Sequence, residues 1–223
     1  MVNQLIVREL QTNCWITTLA GGDCIVIDPG GDDALILERL EKLQLNPRYF
    51  VITHAHFDHI AALPFLAAKF PGAGIAIHPS EADKIGPQSL ENHRRDFNAV
   101  GYSSYVESLW KPMPEASILL NEGETLGPFH VMHLPGHSPG SVALYNEEEK
   151  QLFSGDTLFR AGVGRTDLPG GDEQLLLQSL QRLFAMDGDI NVYPGHGPTT
   201  TIHRETASRG EPRIRSFTAN NGS

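Results

Sequence analysis

Residues 53–59 read THAHFDH, placing three histidines and one aspartate within seven positions. The whole chain holds ten histidines in 223 residues, so this stretch is a strong local excess. Imidazole nitrogens and carboxylate oxygens are donors that suit zinc, iron or manganese. Residues of the same two types recur downstream as His137 in LPGHSPGS, Asp156 in SGDT and His196 in YPGHG. No cysteine accompanies them, which argues against a purely structural zinc site. In extended chain, side chains two residues apart point the same way. His54 and His56 can therefore reach one ion. Asp58 and His59 come where the chain turns toward a helix, and they swing toward a second position.

Such donors need rigid supports, and a strand pattern precedes each of them. His54 and His56 follow RYFVIT, His137 follows VMHLPG, Asp156 follows QLFSG and His196 follows NVYPG. Gly136, Gly140, Gly155, Gly195 and Gly197 let backbone pass close to the ions. His78, His93, His130, His133 and His203 lack this context and read as hydrogen-bonded bystanders.

The rest of the chain reads as alternating strands and helices. LIVREL, NCWITTL and CIVIDPG are short strands parted by turn residues such as Gly21, Gly22 and Asp23. GDDALILERLEKLQL is a helix capped by Asp32, with Ile36, Leu40 and Leu43 on one face. Residues 59–70 read as helical despite Pro64, and GIAIHP as a strand. Residues 86–117 mix aromatics, charges, Gly and Pro with little period, and read as an insertion or lid with short helices. FHVMHLPG, SVALYN, QLFSGDT and INVYPGHG supply the later strands. GDEQLLLQSLQRLFAM is a helix capped by Asp172, with Leu176, Leu180, Leu183 and Phe184 inward. Two strand-rich halves with helices predict two sheets packed together under outer helices. One domain is expected over 1–205, with a polar tail over 206–223.

Composition narrows the partners. Net charge is −10 and no basic run occurs, which disfavours nucleic acid and anionic membranes. Hydrophobic residues make up 40%, enough for a substantial interior. Cys14 and Cys24 lie in apolar stretches and read as buried free thiols. The start MVNQLIVREL has no secretory pattern, and no apolar run matches a membrane span, so a cytoplasmic protein is expected. The oligomeric state stays open.

THAHFDH, PGHSPGS, SGDT and YPGHG, in this order, resemble the metallo-β-lactamase superfamily over nearly the whole chain. The resemblance implies an αββα four-layer sandwich, an α/β fold of two mixed sheets flanked by helices. It implies two divalent metal ions, zinc in the first place with iron or manganese as alternatives. One would be held by His54, His56 and His137, the other by Asp58, His59 and His196, with Asp156 bridging. Two Zn²⁺ offset by two aspartates and a hydroxide leave a positive centre, able to generate hydroxide and polarise a carbonyl. Asp58 is then also catalytic, orienting the nucleophile. Asp28, in VIDPGG, would support the ligand loop.

LFRAGVGRTDLPGGD together with LPGHSPGS resembles the short glyoxalase II-like hydrolases. That branch implies a small-molecule thioester substrate such as S-D-lactoylglutathione, with Arg165 binding a glutathione carboxylate. Longer glyoxalase II enzymes carry a C-terminal helical domain, and this chain ends soon after His196. Either the insertion supplies contacts, through His93, Arg94, Arg95, Tyr102 or Tyr105, or the substrate is another thioester. The alternatives are a persulfide dioxygenase with a single iron on His54, His137 and Asp156, or a lactonase or β-lactamase of the same fold.

Overall fold

Two six-stranded sheets carry the fold. The computed structural model of the chain describes residues 1–98, 101 and 103–207, apart from the side chains of 103 and 105. The first sheet runs in sequence order through β1 (Val2–Val7), β2 (Thr12–Thr18), β3 (Asp23–Ile27), β4 (Asn46–Val51), β5 (Gly74–Ile77) and β6 (Ile118–Leu119). Its first three strands are antiparallel and the remaining pairings parallel. The second sheet holds β7 (Thr125–Leu126), β8 (Phe129–His133), β9 (Val142–Asn146), β10 (Gln151–Gly155), β13 (Asn191–Pro194) and β14 (Thr200–Thr201). Its order is β14-β13-β10-β9-β8-β7. Between β10 and β13 the chain forms a separate hairpin, β11 (Leu158–Phe159) and β12 (Gly162–Val163).

Alternation along the strands divides the interior into layers. Ile25 and Ile27 of β3 face the second sheet and pack with Phe129, Leu144 and Phe153. Cys24 and Val26 face the other way, toward Ile36 and Leu40 of α1 (Asp33–Leu43) and Leu63 and Leu66 of α3 (Leu63–Lys69). On the far side, Leu152 and Val192 meet Leu176, Leu180 and Leu183 of α6 (Glu173–Phe184) and Ile202 of α7 (Ile202–Ala207). This is the expected four-layer αββα sandwich. Phe153 anchors the central layer against Trp15, Phe129 and Tyr193. Truncating such a side chain to Ala costs about 3–5 kcal/mol. Cys14 and Cys24 are free and buried, and burial pushes Cys24 up to about 12 and Cys14 higher still.

Some local expectations need correction. Asp32 precedes α1, but it lies in the left-handed region (φ 49) and its carboxylate does not cap the helix. It accepts the Arg8 N–H at 2.8 Å instead, tying α1 to the β1–β2 turn. Asp172 does cap α6, accepting the Leu175 N–H at 2.9 Å. The helix expected over 59–70 is two helices, α2 (Phe57–Ile60) and α3, with Pro64 in the first turn of the second. Proline needs no N–H there, so it starts a helix where it would break one further along. The insertion contains α4 (Leu90–Asn98) and α5 (Ser103–Leu109). Of the expected polar tail, 206 and 207 end α7, and 208–223 lie outside the described residues. Among the described residues no helix is long and apolar enough to cross a membrane.

Candidate metal centre

β9 runs antiparallel to β8 and to β10, and β13 runs parallel to β10, so the C-terminal ends of β8, β10 and β13 share one edge. His137, Asp156 and His196 leave from that edge. His54 and His56 come from the loop after β4, and the Thr53 carbonyl joins this loop to the second sheet by accepting the Val142 N–H at 2.9 Å. Asp58 and His59 follow in α2.

The seven side chains converge. His137 Nε2 stands 3.2 Å from His54 Nε2 and 2.9 Å from His56 Nδ1. Asp58 Oδ2 lies 3.2 Å from His196 Nε2, and His59 Nε2 lies 3.3 Å from the same nitrogen. Asp156 sits between the groups, Oδ1 3.6 Å from His59 Nε2 and Oδ2 3.7 Å from His137 Nε2. Gly195 makes this closeness possible, because a Cβ there would lie 2.1 Å from Asp156 Oδ1 and 2.8 Å from the His59 ring.

Outer hydrogen bonds fix which nitrogen faces inward. His137 Nδ1 donates to the Arg165 carbonyl at 2.8 Å, and His196 Nδ1 to the Leu10 carbonyl at 3.1 Å. Asp28 serves two ligands at once. Its carboxylate takes the Thr53 N–H at 2.8 Å, the Thr53 hydroxyl at 2.7 Å and His59 Nδ1–H at 3.0 Å. The Thr53 oxygen then accepts from His54 Nδ1 at 3.1 Å. In their neutral forms His54, His59, His137 and His196 thus present bare Nε2 lone pairs to one another at close range.

Lone pairs facing each other near 3 Å repel unless a cation lies between them. Asp156 Oδ1 adds to the demand, being buried without a hydrogen bond among the described residues. The donor set therefore fits two divalent ions. Burial and the neighbouring imidazoles push His54 and His56 well below the usual histidine range. Burial also lowers His137. Burial opposes charge on His59 and His196 too, but Asp58 and Asp156 outweigh it and raise both. Against its own desolvation, Asp156 is held down to about 2 by His59, His196 and His137. Asp58 is lowered further, by His59, His196 and His56 against its burial.

Three supports carried no signal in the sequence pattern. Thr12 Oγ1 donates to Asp58 Oδ2 at 2.9 Å. Asn13 clamps the His196 turn, its side-chain amide donating to the Pro194 and Gly197 carbonyls at 2.9 and 2.7 Å. Glu81 is fully buried and accepts the Ala55 N–H and the Gly140 N–H, each at 3.1 Å. It thereby joins the His54–His56 loop to the loop after His137. Lys84 lies 3.5 Å from Glu81 and 3.2 Å from Asp96 of α4.

The centre opens into a cleft of about 670 Å³. Leu10, Phe97, Phe159, Val163, Leu168 and Pro198 give it apolar walls, with Asp96, Arg160 and Arg165 as charged groups. Arg165 reaches the cleft, but its guanidinium is closed onto Asp167 by two contacts of 2.7 and 2.6 Å. The insertion contributes Asp96 and Phe97, while His93, Arg94 and Arg95 do not line the cleft. His93 is buried on the Lys84 carbonyl, and Arg94 pairs with Glu91 and Glu107. Tyr102 and the Tyr105 side chain lie outside the described residues. His78 and His133 stack on each other at 4.0 Å, away from the centre.

Residues 7–196 match the family model of the metallo-β-lactamase superfamily, and the chain belongs to that superfamily. It is a metallo-hydrolase of that fold. The hydroxyacylglutathione hydrolase GloC of Haemophilus influenzae is 35% identical over 204 residues, 91% of this chain and 93% of that protein. Among solved structures, the B3 metallo-β-lactamase BLEG-1 has a TM-score of 0.81 at 35% identity, covering 93% of this chain and 97% of its own. TTHA1623 in a di-iron-bound form has a TM-score of 0.79 at 37% identity, covering 92% and 96%.

Proposed function

We propose that the chain is a glyoxalase II-like thioesterase that hydrolyses S-D-lactoylglutathione or a similar glutathione thioester. One ion would sit on His54, His56 and His137, the other on Asp58, His59 and His196, with Asp156 between them. Zinc is the first choice, with iron or manganese as alternatives. The observation that carries this reading is the complete seven-residue donor set at the base of an apolar, arginine-bearing cleft. Similarity to GloC supports the thioester assignment.

Bound ions would polarise a carbonyl oxygen and bring the pKa of bound water toward neutrality. The chain's own residues do the rest. Asp58 stays ionised, and the Thr12 hydroxyl fixes its inner oxygen, so it can accept a hydrogen bond from a water molecule and orient it. Phe97, Phe159 and Leu168 exclude bulk water around the acyl group. A thiol leaving group has a pKa near 8.5, so it departs without a dedicated acid.

A dioxygenase on His54, His137 and Asp156 alone would leave the convergence of Asp58, His59 and His196 without a role. Metal analysis paired with assays on S-D-lactoylglutathione and glutathione persulfide separates the two. We expect close to two ions per chain and thioester hydrolysis. One tightly bound iron with oxygen uptake on the persulfide would overturn the reading.

A further inference from the structure

The two arginines of the cleft are not equivalent. Arg165 has its charge matched by Asp167, two residues on in the same loop. Arg160 is exposed on the cleft wall, and among the described residues it makes no hydrogen bond or ion pair. It occupies the turn of the β11–β12 hairpin, between Phe159 and Gly162.

That hairpin is built to hold its shape. Ala161, the other turn residue, sits in the left-handed region at φ 58, which an L-residue with a Cβ resists. Its N–H is pinned at 2.9 Å by Glu205, a carboxylate of α7 that is only 1% exposed. The Thr200 hydroxyl donates to the other oxygen of Glu205 at 2.6 Å. A strained turn secured from below therefore presents one unmatched cation to the cleft. Phe159 beside it lies edge-on to His196, so the hairpin also borders the metal centre.

We infer that Arg160, rather than Arg165, is the anion-recognition residue of the cleft, and that its ligand is a carboxylate on the thiol half of the substrate. This rests on the thioesterase reading for the identity of the substrate, but not for the existence of the anion subsite. A guanidinium takes a carboxylate through paired N–H bonds, and among the described residues no carboxylate competes with the ligand for Arg160. The apolar walls leave this group to select for charge remote from the reacting carbon.

The test is calorimetric binding of glutathione and of glutathione diethyl ester, which lacks free carboxylates, to metal-loaded protein. The quantity read is the preference for glutathione over the diester. Arg160→Ala should reduce that preference about tenfold, in line with loss of a charge-assisted hydrogen bond at an exposed position. Arg160→Lys should restore part of it, and Arg165→Ala should shift it by less than about threefold. Equal weakening of both ligands by Arg160→Ala would overturn the proposal, as would a larger loss of preference at Arg165. Hydrolysis of a small carboxylate-free thioester by the unaltered protein tests the thioesterase reading separately. If that hydrolysis is absent while the Arg160-dependent preference persists, the subsite stands and the reaction assignment falls.

Discussion

His54, His56 and His137 meet with their side chains almost wholly enclosed, whereas the Asp58, His59 and His196 group opens at His196, whose side chain is 29% exposed. The two groups also differ in charge. The first is three imidazoles that burial drives toward neutrality. The second brings a carboxylate of its own, and its histidines are held toward the protonated form. The first group would therefore bind an ion chiefly through rigid geometry, secured by Asp28, Thr53, Glu81 and the Arg165 carbonyl. The second relies more on charge, with Thr12 and Asn13 steadying its rim. Asp156 belongs to both.

Removing the shared residue should have the largest effect. Asp156→Ala should lower kcat/KM by roughly a thousandfold, about 4 kcal/mol of transition-state stabilisation. Elemental analysis should show depletion of both ions rather than one. Near-normal activity with one full ion retained would mean that the two groups do not depend on a common ligand.

Asp28→Asn ranks next. The amide oxygen can still accept one Thr53 donor, but the NH₂ group would face donors where the carboxylate now accepts. His54 and His59 would both lose their enforced tautomer. Chelator competition should show metal affinity about ten- to a hundredfold weaker in both groups. Weakening confined to the second group would show that the relay through Thr53 to His54 carries no energy. Glu81→Gln should act more narrowly. It disturbs the amides of Ala55 and Gly140, both next to first-group ligands. About tenfold weaker binding at the first group alone is expected, with the fold retained by circular dichroism. Equal loss at both would place Glu81 in the general stability of the sheet edge.

The convergence of the seven candidate residues was legible in the sequence because they cluster at or just after strand ends, which register as apolar runs. Asp28 was legible for the same reason. Thr12, Asn13 and Glu81 were not, because each acts across a long sequence separation: Thr12 on Asp58, Asn13 on the turn around His196, Glu81 on Gly140. Glu81 and Lys84 stand three residues apart, and only tertiary packing buries them. The two-residue strands β6, β7, β11, β12 and β14 are too short to show a period, which also concealed the hairpin carrying Arg160. Arg165 drew attention through its motif, and Asp167, two residues on in the same motif, is the carboxylate that pairs with its guanidinium.

The smallest expected effect is the most direct test of the contrast in charge. Metal binding displaces protons from ligands that hold them, and histidine binds a metal only through a deprotonated nitrogen. His59 and His196 have raised pKa values, so they retain protons to higher pH than free histidine does. His54, His56 and His137 have lowered values and are already neutral at pH 7. Asp58 and Asp156 are ionised there and have no proton to lose. Loading the second group should therefore release more protons per ion than loading the first. As pH falls, proton competition should reach the second group first, since raised pKa values meet the falling pH earlier. Calorimetric zinc titrations in buffers of different ionisation enthalpy read the released protons directly, and Glu81→Gln, which weakens the first group, identifies which binding step is which. Equal proton release in both steps would show that the carboxylates do not distinguish the two groups. Larger release in the first step would show that burial fails to keep His54 and His56 neutral.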